Sequence, residues 1–229
     1  MFSFIYQSNY IQWMENILIL YPYIFAIIIS IIVARLIWTN HPNSKYIMIF
    51  ILIFSIVTTT HYNIQHNPIL ILWLCNFTAM IGLYLCYRFH QIVFDIFFYF
   101  CWTGDLFTLL VFDNPVAPPM STNPIAFMGF IFKHSIPLIL TIYLIKNGYK
   151  KVSSTALRHS LLAMIAYTVF VGFINLLFDS NIMDLRYATL DIEKAFGPWP
   201  YYVIVNISIA LIWFKSIEFI TKKIRLIHT

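Results

Sequence analysis

Four polar side chains stand inside long apolar runs of this sequence: Cys75, Asp105, His134 and Asn175. An ionisable residue in such a run costs about 2.5 kcal/mol or more to place in hydrocarbon, so it faces a bundle interior or water and marks where chemistry is to be sought. His134 carries the strongest signal, because a mid-run imidazole must find a partner and its ordinary pKa lies near the working pH of a general base. Pro137 withholds an amide from the carbonyl of Lys133 and loosens the helix beside His134. Lys133, if close and dry, keeps the imidazole neutral and able to accept a proton. The alternative is that Lys133 pairs with Asp105 as a structural ion pair. Cys75 offers a thiol, yet a buried free cysteine is as readily an inert small hydrophobe. Asp95 has no such company and reads as structural.

Other candidate sites are weaker. His61 and His66 flank a short polar segment with Asn63 and Asn67, but two imidazoles without a third ligand do not make a metal centre, and solvated loop positions are the better reading. Cys75, Cys86 and Cys101 lack the paired spacing of a zinc site or a disulfide framework. There is no Gly-rich phosphate loop, Gly-x-Ser-x-Gly elbow or His-Glu-x-x-His motif. No metal and no cofactor is expected, and any catalysis must use scattered residues brought together by the fold.

The elements that position these residues are set by composition. Of 229 residues 61% are hydrophobic and 10% charged, too little polar surface to cover a soluble fold. The apolar residues fall in blocks of about 20, enough to cross a hydrocarbon core of about 30 Å as helix. The expected fold is an all-α, polytopic transmembrane bundle in a single domain over residues 1–229, with about seven spans: 16–38, 46–61, 69–87, 90–112, 125–146, 157–178 and 199–221. Turn chemistry bounds them at His41-Pro42-Asn43-Ser44, Asn67-Pro68, Asp113-Asn114-Pro115, Asn147-Gly148 and Gly197-Pro198-Trp199-Pro200. The first span lacks the basic flank and cleavage site of a secretory signal and is expected to be retained.

Lys and Arg orient the bundle. Arg35, Lys45, Arg88, Lys146, Lys150, Lys151, Arg158, Lys215, Lys222, Lys223 and Arg225 mark one side, while the other carries only Arg186 and Lys194. Short cytoplasmic loops keep positive charge, which predicts an outer N-terminus and a cytoplasmic C-terminus. The net charge of +5 is spread over these loops rather than along one face, so it argues for topology and not for nucleic acid. In this arrangement Cys75, Asp105, His134 and Asn175 all lie within roughly 5 to 15 Å of the outer boundary, at 1.5 Å per residue. Helical spacing aligns Cys75 with Thr78, Ala79, Gly82 and Cys86, Cys101 with Asp105 and Thr108, and Asn175 with Thr168 and Gly172. Close helix packing accounts for such small-residue stripes, and so does one shared polar site.

From Ile69 onward the chain resembles the YwaF-like integral membrane family, which includes the transmembrane protein 164 acyltransferases and is distantly similar to androgen-induced membrane hydrolases. Phe196-Gly197-Pro198-Trp199-Pro200-Tyr201-Tyr202 is similar to the family's Gly-Pro-Trp-Pro-Trp-Tyr signature. Gly172 to Leu177 resembles its Gly-x-x-Asn segment, and Asn181 to Tyr187 stands at its asparagine-tyrosine loop. Leu72-Trp73-Leu74-Cys75 is similar to its Leu-His-Leu-Cys, and Phe130 to His134 to the stretch holding its histidine. Trp73 in place of a histidine, Ser135 after His134, and Asp184 with Ala188-Thr189 depart from the pattern. The resemblance implies acyl transfer or acyl hydrolysis on membrane lipids, with Cys75 as nucleophile and His134 as base. Asn175 or Thr78 would then donate to the developing oxyanion and Asp105 would orient His134. A thioester held within the leaflet would be shielded from water, favouring transfer over hydrolysis. A multi-pass protein of a bacterial cytoplasmic membrane is the expected setting. The competing class is a non-enzymatic transporter or lipid-binding bundle, in which the same polar groups line a path.

Overall fold

A computed structural model describes residues 24, 27–36, 38–39, 41–110, 117–148 and 151–223. Among them the chain is helical: α1 (Ile27–Leu36), α2 (Ser44–His66), α3 (Leu74–Tyr87), α4 (Gln91–Leu110), α5 (Pro124–Lys146), α6 (Ala156–Leu177), a short α7 (Asp191–Ala195) and α8 (Tyr201–Lys223). Five of these, α2, α4, α5, α6 and α8, are long and apolar enough to cross a membrane, where seven spans were expected. Residues 16–23, 25, 26 and 37 of the expected first span lie outside the described residues, as do Asp113-Asn114-Pro115, Lys150 and Arg225.

The expected third span divides. Ile69 to Leu72 belong to a 3-10 turn, Pro68–Leu72, and Trp73 is extended at φ −68° and ψ 144°, so α3 is a helix of 14 residues starting at Leu74. A run of Ile and Leu reads alike whether its backbone is a 3-10 turn or a helix, which is why hydropathy joins the two. The expected second span proves longer instead: Asn63 and His66, expected in a loop, continue the helix beyond His61, Asn63 is buried on its inner face, and the helix reaches 23 residues.

α5 is the axis of the bundle. In its most apolar stretch 61% of the residues are buried, against 11% in α8, which places α8 at the periphery. α2 lies along α5 through an inward stripe of Met48, Leu52, Ser55, Thr59 and Asn63 at steps of three and four. Gly129 on α5 allows this approach, since a Cβ there would stand 2.0 Å from Thr58 Oγ1 and 3.4 Å from the Ser55 carbonyl oxygen. α3 nests against α5 and α4, with Gly82 facing Leu140 and Phe97. α4 packs along α6 and contains a wide π turn at Cys101–Asp105. The Trp102 carbonyl within it accepts from Trp213 Nε1 of α8 at 2.8 Å.

At the opposite end from residues 178–200, Asp95 proves to have company that the sequence did not disclose. Its buried carboxylate accepts from Gln91 Nε2 at 2.9 Å, the Ser153 amide at 3.1 Å and the Ser153 hydroxyl at 2.5 Å, and meets His159 Nδ1 at 3.4 Å. These bonds tie α4 to the segment that opens α6.

Candidate functional site

The start of α3 is held in place from two sides. Asn76 Nδ2 donates to the Leu70 carbonyl at 2.8 Å, and the Tyr167 hydroxyl of α6 donates to the Leu72 carbonyl. The break at Trp73 therefore leaves Cys75 in the first turn of α3, part-buried. Asn76 Oδ1 accepts from Lys133 Nζ of α5 at 3.0 Å. The Lys133 ammonium also stands 5.7 Å over the Phe130 ring, and Lys133 shares a cleft with Cys75. Lys133 is 3% exposed and, among the described residues, joins no ion pair. The Lys133–Asp105 bridge considered from the sequence is thus replaced by a Lys133–Asn76 hydrogen bond.

His134 is completely buried. Its Nδ1 lies 2.7 Å from the Phe130 carbonyl oxygen. A carbonyl can only accept, so Nδ1 carries the proton and Nε2 keeps a lone pair. That Nε2 has no hydrogen-bond partner among the described residues, and neither has Asp105 Oδ2. The other Asp105 oxygen faces the Thr78 hydroxyl at 3.2 Å, and the same hydroxyl reaches the Cys75 carbonyl at 2.9 Å. No hydrogen bond joins Cys75 to His134 among the described residues. The Lys133–Asn76 hydrogen bond joins the neighbour of His134 on α5 to the neighbour of Cys75 on α3, and in this way it ties the two positions together.

Asn175 stands elsewhere. It is buried at the end of α6 with its side chain committed to the following loop. Nδ2 donates to the Ile182 carbonyl at 3.0 Å, while Oδ1 accepts from the Ile182 amide and the Ser180 hydroxyl, both at 2.8 Å. The stripe expected with it does not make a close helix contact, since nothing lies within 4 Å of a Cβ built at Gly172. The loop is further organised by Asn181, whose Oδ1 accepts from the amides of Arg186 at 2.9 Å and Tyr187 at 3.1 Å. Asp184 belongs to the same network, and burial pushes its carboxyl up to about 6, the Thr189 hydrogen bond opposing and the negative Glu193 adding to the rise.

Two hollows adjoin these residues. A cleft of about 20 Å³, room for one water, is lined by Cys75, Lys133, Phe130, Thr59 and Asn63. A vestibule of about 640 Å³ opens beside it, lined by Thr108, Asp179, Asn181, Asp184 and Glu193, and the two share Leu70 and Trp73 as a wall. A third, apolar groove of about 420 Å³ runs between α6 and α8, from Asp184 and Asn206 down to Leu161 and Phe214. Asn76 is the residue that sequence reasoning passed over. Its adjacency to Cys75 was the one available signal, and an amide beside a more reactive side chain is easily taken for packing. His61 and His66 stay at the surface, with His66 stacked on Tyr62 at 4.1 Å.

Apolar helices of spanning length, gathered around a buried polar cluster with a water-sized cleft, define a multi-pass integral membrane protein. The model of the TMEM164 family matches residues 10–217, and the chain belongs to that family. No curated protein and no solved structure is significantly similar to it.

Proposed function

We propose that this protein transfers acyl chains between membrane lipids through a thioester on Cys75, with His134 as general base and the chain acting as one membrane domain. The observation that carries the reading is the His134 Nε2 lone pair, buried and unpartnered among the described residues, on a residue whose neighbour Lys133 is bonded to Asn76, the neighbour of Cys75. The Cys75 proton passes to Nε2 when the donor lipid is bound. The sulfur forms a bond to the ester carbon of a donor lipid, and the carbonyl electron pair moves onto oxygen. Collapse of that intermediate expels the alcohol of the donor, which takes the proton back from His134. An acceptor hydroxyl, from a second lipid or from water, then repeats the steps in reverse and regenerates the thiol. The Thr78 hydroxyl donates at the Cys75 carbonyl in the resting protein and would turn to the oxyanion, and Asp105 completes the cluster. Asn175 supports the reaction by building the loop that walls the vestibule.

The positive residues 35, 45, 88, 146, 151, 158, 215, 222 and 223 gather at the end away from the vestibule, which supports an outward-facing vestibule and a cytoplasmic C-terminus. A lipid-binding bundle without chemistry is the second reading, favoured by the apolar groove between α6 and α8. Purified protein in liposomes with a donor phospholipid carrying an isotopically labelled acyl chain separates the two. Acyl transfer predicts labelled acceptor from wild type, none from Cys75→Ala, and at most traces from Cys75→Ser, a hydroxyl being the weaker nucleophile at neutral pH. Equal label movement by wild type and Cys75→Ala refutes the proposal.

A further inference from the structure

The mechanism above leaves the Lys133 ammonium without a task, although it lines one cleft with the nucleophile. Lys133 and Cys75 line the same water-sized cleft, and Lys133 Nζ donates at 3.0 Å to Asn76, the residue next to Cys75. Asn76 fixes the ammonium, and only one orientation of its amide serves: Nδ2 must face the Leu70 carbonyl, an acceptor, and Oδ1 must face Lys133, a donor. Cys75 also sits in the first turn of the 14-residue α3, where unpaired amides and the helix dipole favour negative charge. Burial works against a charged sulfur, and Lys133 and the helix start are what oppose it. The titratable groups whose charge reaches the thiol are Lys133 from α5, Asp105 from α4 and Tyr167 from α6. Of these only Lys133 is positive.

We infer that Lys133, held by Asn76, is the electrostatic partner that stabilises the Cys75 thiolate, while His134 only receives and returns the proton. The pairing rests on the acyl-transfer reading for its meaning in turnover, but it exists in the resting protein and is measurable there. It makes or breaks no covalent bond. Its effect is to raise the fraction of sulfur that is ionised and ready to attack.

The test is the rate of Cys75 alkylation by iodoacetamide, read at that site by mass spectrometry on the full chain in detergent, as a function of pH. Lys133→Met is expected to slow alkylation near neutral pH by about tenfold or more, as a shift of about one unit in the thiol ionisation would. The deficit should close as the pH is raised, because the chemistry of the ionised sulfur is unchanged. Lys133→Arg, which keeps the charge, should recover most of the neutral-pH rate. If Lys133→Met does not fold, Asn76→Leu with Lys133→Met removes both hydrogen-bonding partners together and should show the same profile. A neutral-pH rate equal to wild type overturns the inference. So does a deficit of the same size at every pH, which is structural damage, or a profile displaced by His134→Ala instead. Wild type that alkylates as expected but moves no acyl chain in liposomes refutes the acyl-transfer reading and leaves the Lys133–Cys75 pairing standing.

Discussion

Replacing Asp184 by Asn should stabilise the protein near neutral pH and flatten its response to acid. Asp184 sits in left-handed backbone at φ 52°, and its Oδ1 accepts from Asn181 Nδ2 at 3.1 Å and from the Thr189 hydroxyl at 2.9 Å. Its carboxyl stands at about 6 rather than the ordinary 3.8. A carboxyl so raised binds its proton more tightly in the folded chain than in the unfolded one. Its contribution to stability is therefore full below 3.8, is lost as the pH rises through about 6, and is constant above that. At about 1.4 kcal/mol per pH unit the ceiling is about 3 kcal/mol. Asp184 is part-exposed, and solvent screening brings the expected effect down to about 1 kcal/mol. Asparagine retains an Oδ1 for both donors, has no charge to desolvate, and is among the few residues at ease in left-handed backbone. Thermal unfolding in neutral detergent should give Asp184→Asn a midpoint about 2 to 4 °C above wild type near pH 7.5. The gap should shrink towards pH 4, where the wild-type carboxyl is protonated. A wild type as stable as the variant near neutral pH, or a gap independent of pH, would show that the raised carboxyl does not act on folding.

Gly129→Ala places a methyl against Thr58, whose hydroxyl already bonds the Phe54 carbonyl at 2.8 Å, and should cost about 1 to 3 kcal/mol in denaturant unfolding. Gly172→Ala, with nothing within 4 Å, is the paired control and should be close to neutral. Asp95→Asn turns one of the two carboxylate oxygens into a donor, facing the Ser153 hydroxyl in one orientation and the Ser153 amide and Gln91 Nε2 in the other, so a loss of about 1 to 3 kcal/mol is expected, seen as faster hydrogen exchange at the start of α6. Single cysteines at positions 151 and 184, in a background lacking the native ones, should react with an impermeant maleimide from opposite faces of oriented vesicles; labelling of both from one face would overturn the topology proposed from positive charge.

What was legible in the sequence follows the physics of each signal. α5 and α6 begin within a residue of expectation, at 124 and 156 against 125 and 157, because each apolar run starts soon after a turn-forming segment, Asp113-Asn114-Pro115 for one and Asn147-Gly148 for the other. The extended residue at Trp73 was not legible, because tryptophan carries no turn signal and the Ile-Leu run before it is equally apolar in either conformation. The burial of Asp105 and His134 could be anticipated, since a polar residue flanked by apolar ones on a helix must turn inward. Which of them touch is a property of pairs 27 to 57 residues apart, such as Thr78 with Asp105 and Asn76 with Lys133, and a single sequence holds no record of that. The partners of Asp95 were hidden for a related reason. Ser153 looks like any loop serine until the loop folds back onto α4.

The π turn in α4 sets the rotational phase of everything that follows it. A π turn is an α-helix carrying one surplus residue, and one residue is worth about 100° of rotation. Upstream of it, Phe94, Phe97 and Phe98 point into the core; downstream, Phe107 and Thr108 line the vestibule. Deleting a single residue between Cys101 and Asp105 would relax the turn to ordinary helix and swing the last turns of α4 by that angle. The vestibule would then be walled by a different set of side chains while the core half of the helix stayed where it is. Insertions and deletions at this one turn are therefore a means of changing what the cavity admits without redesigning the bundle that encloses it.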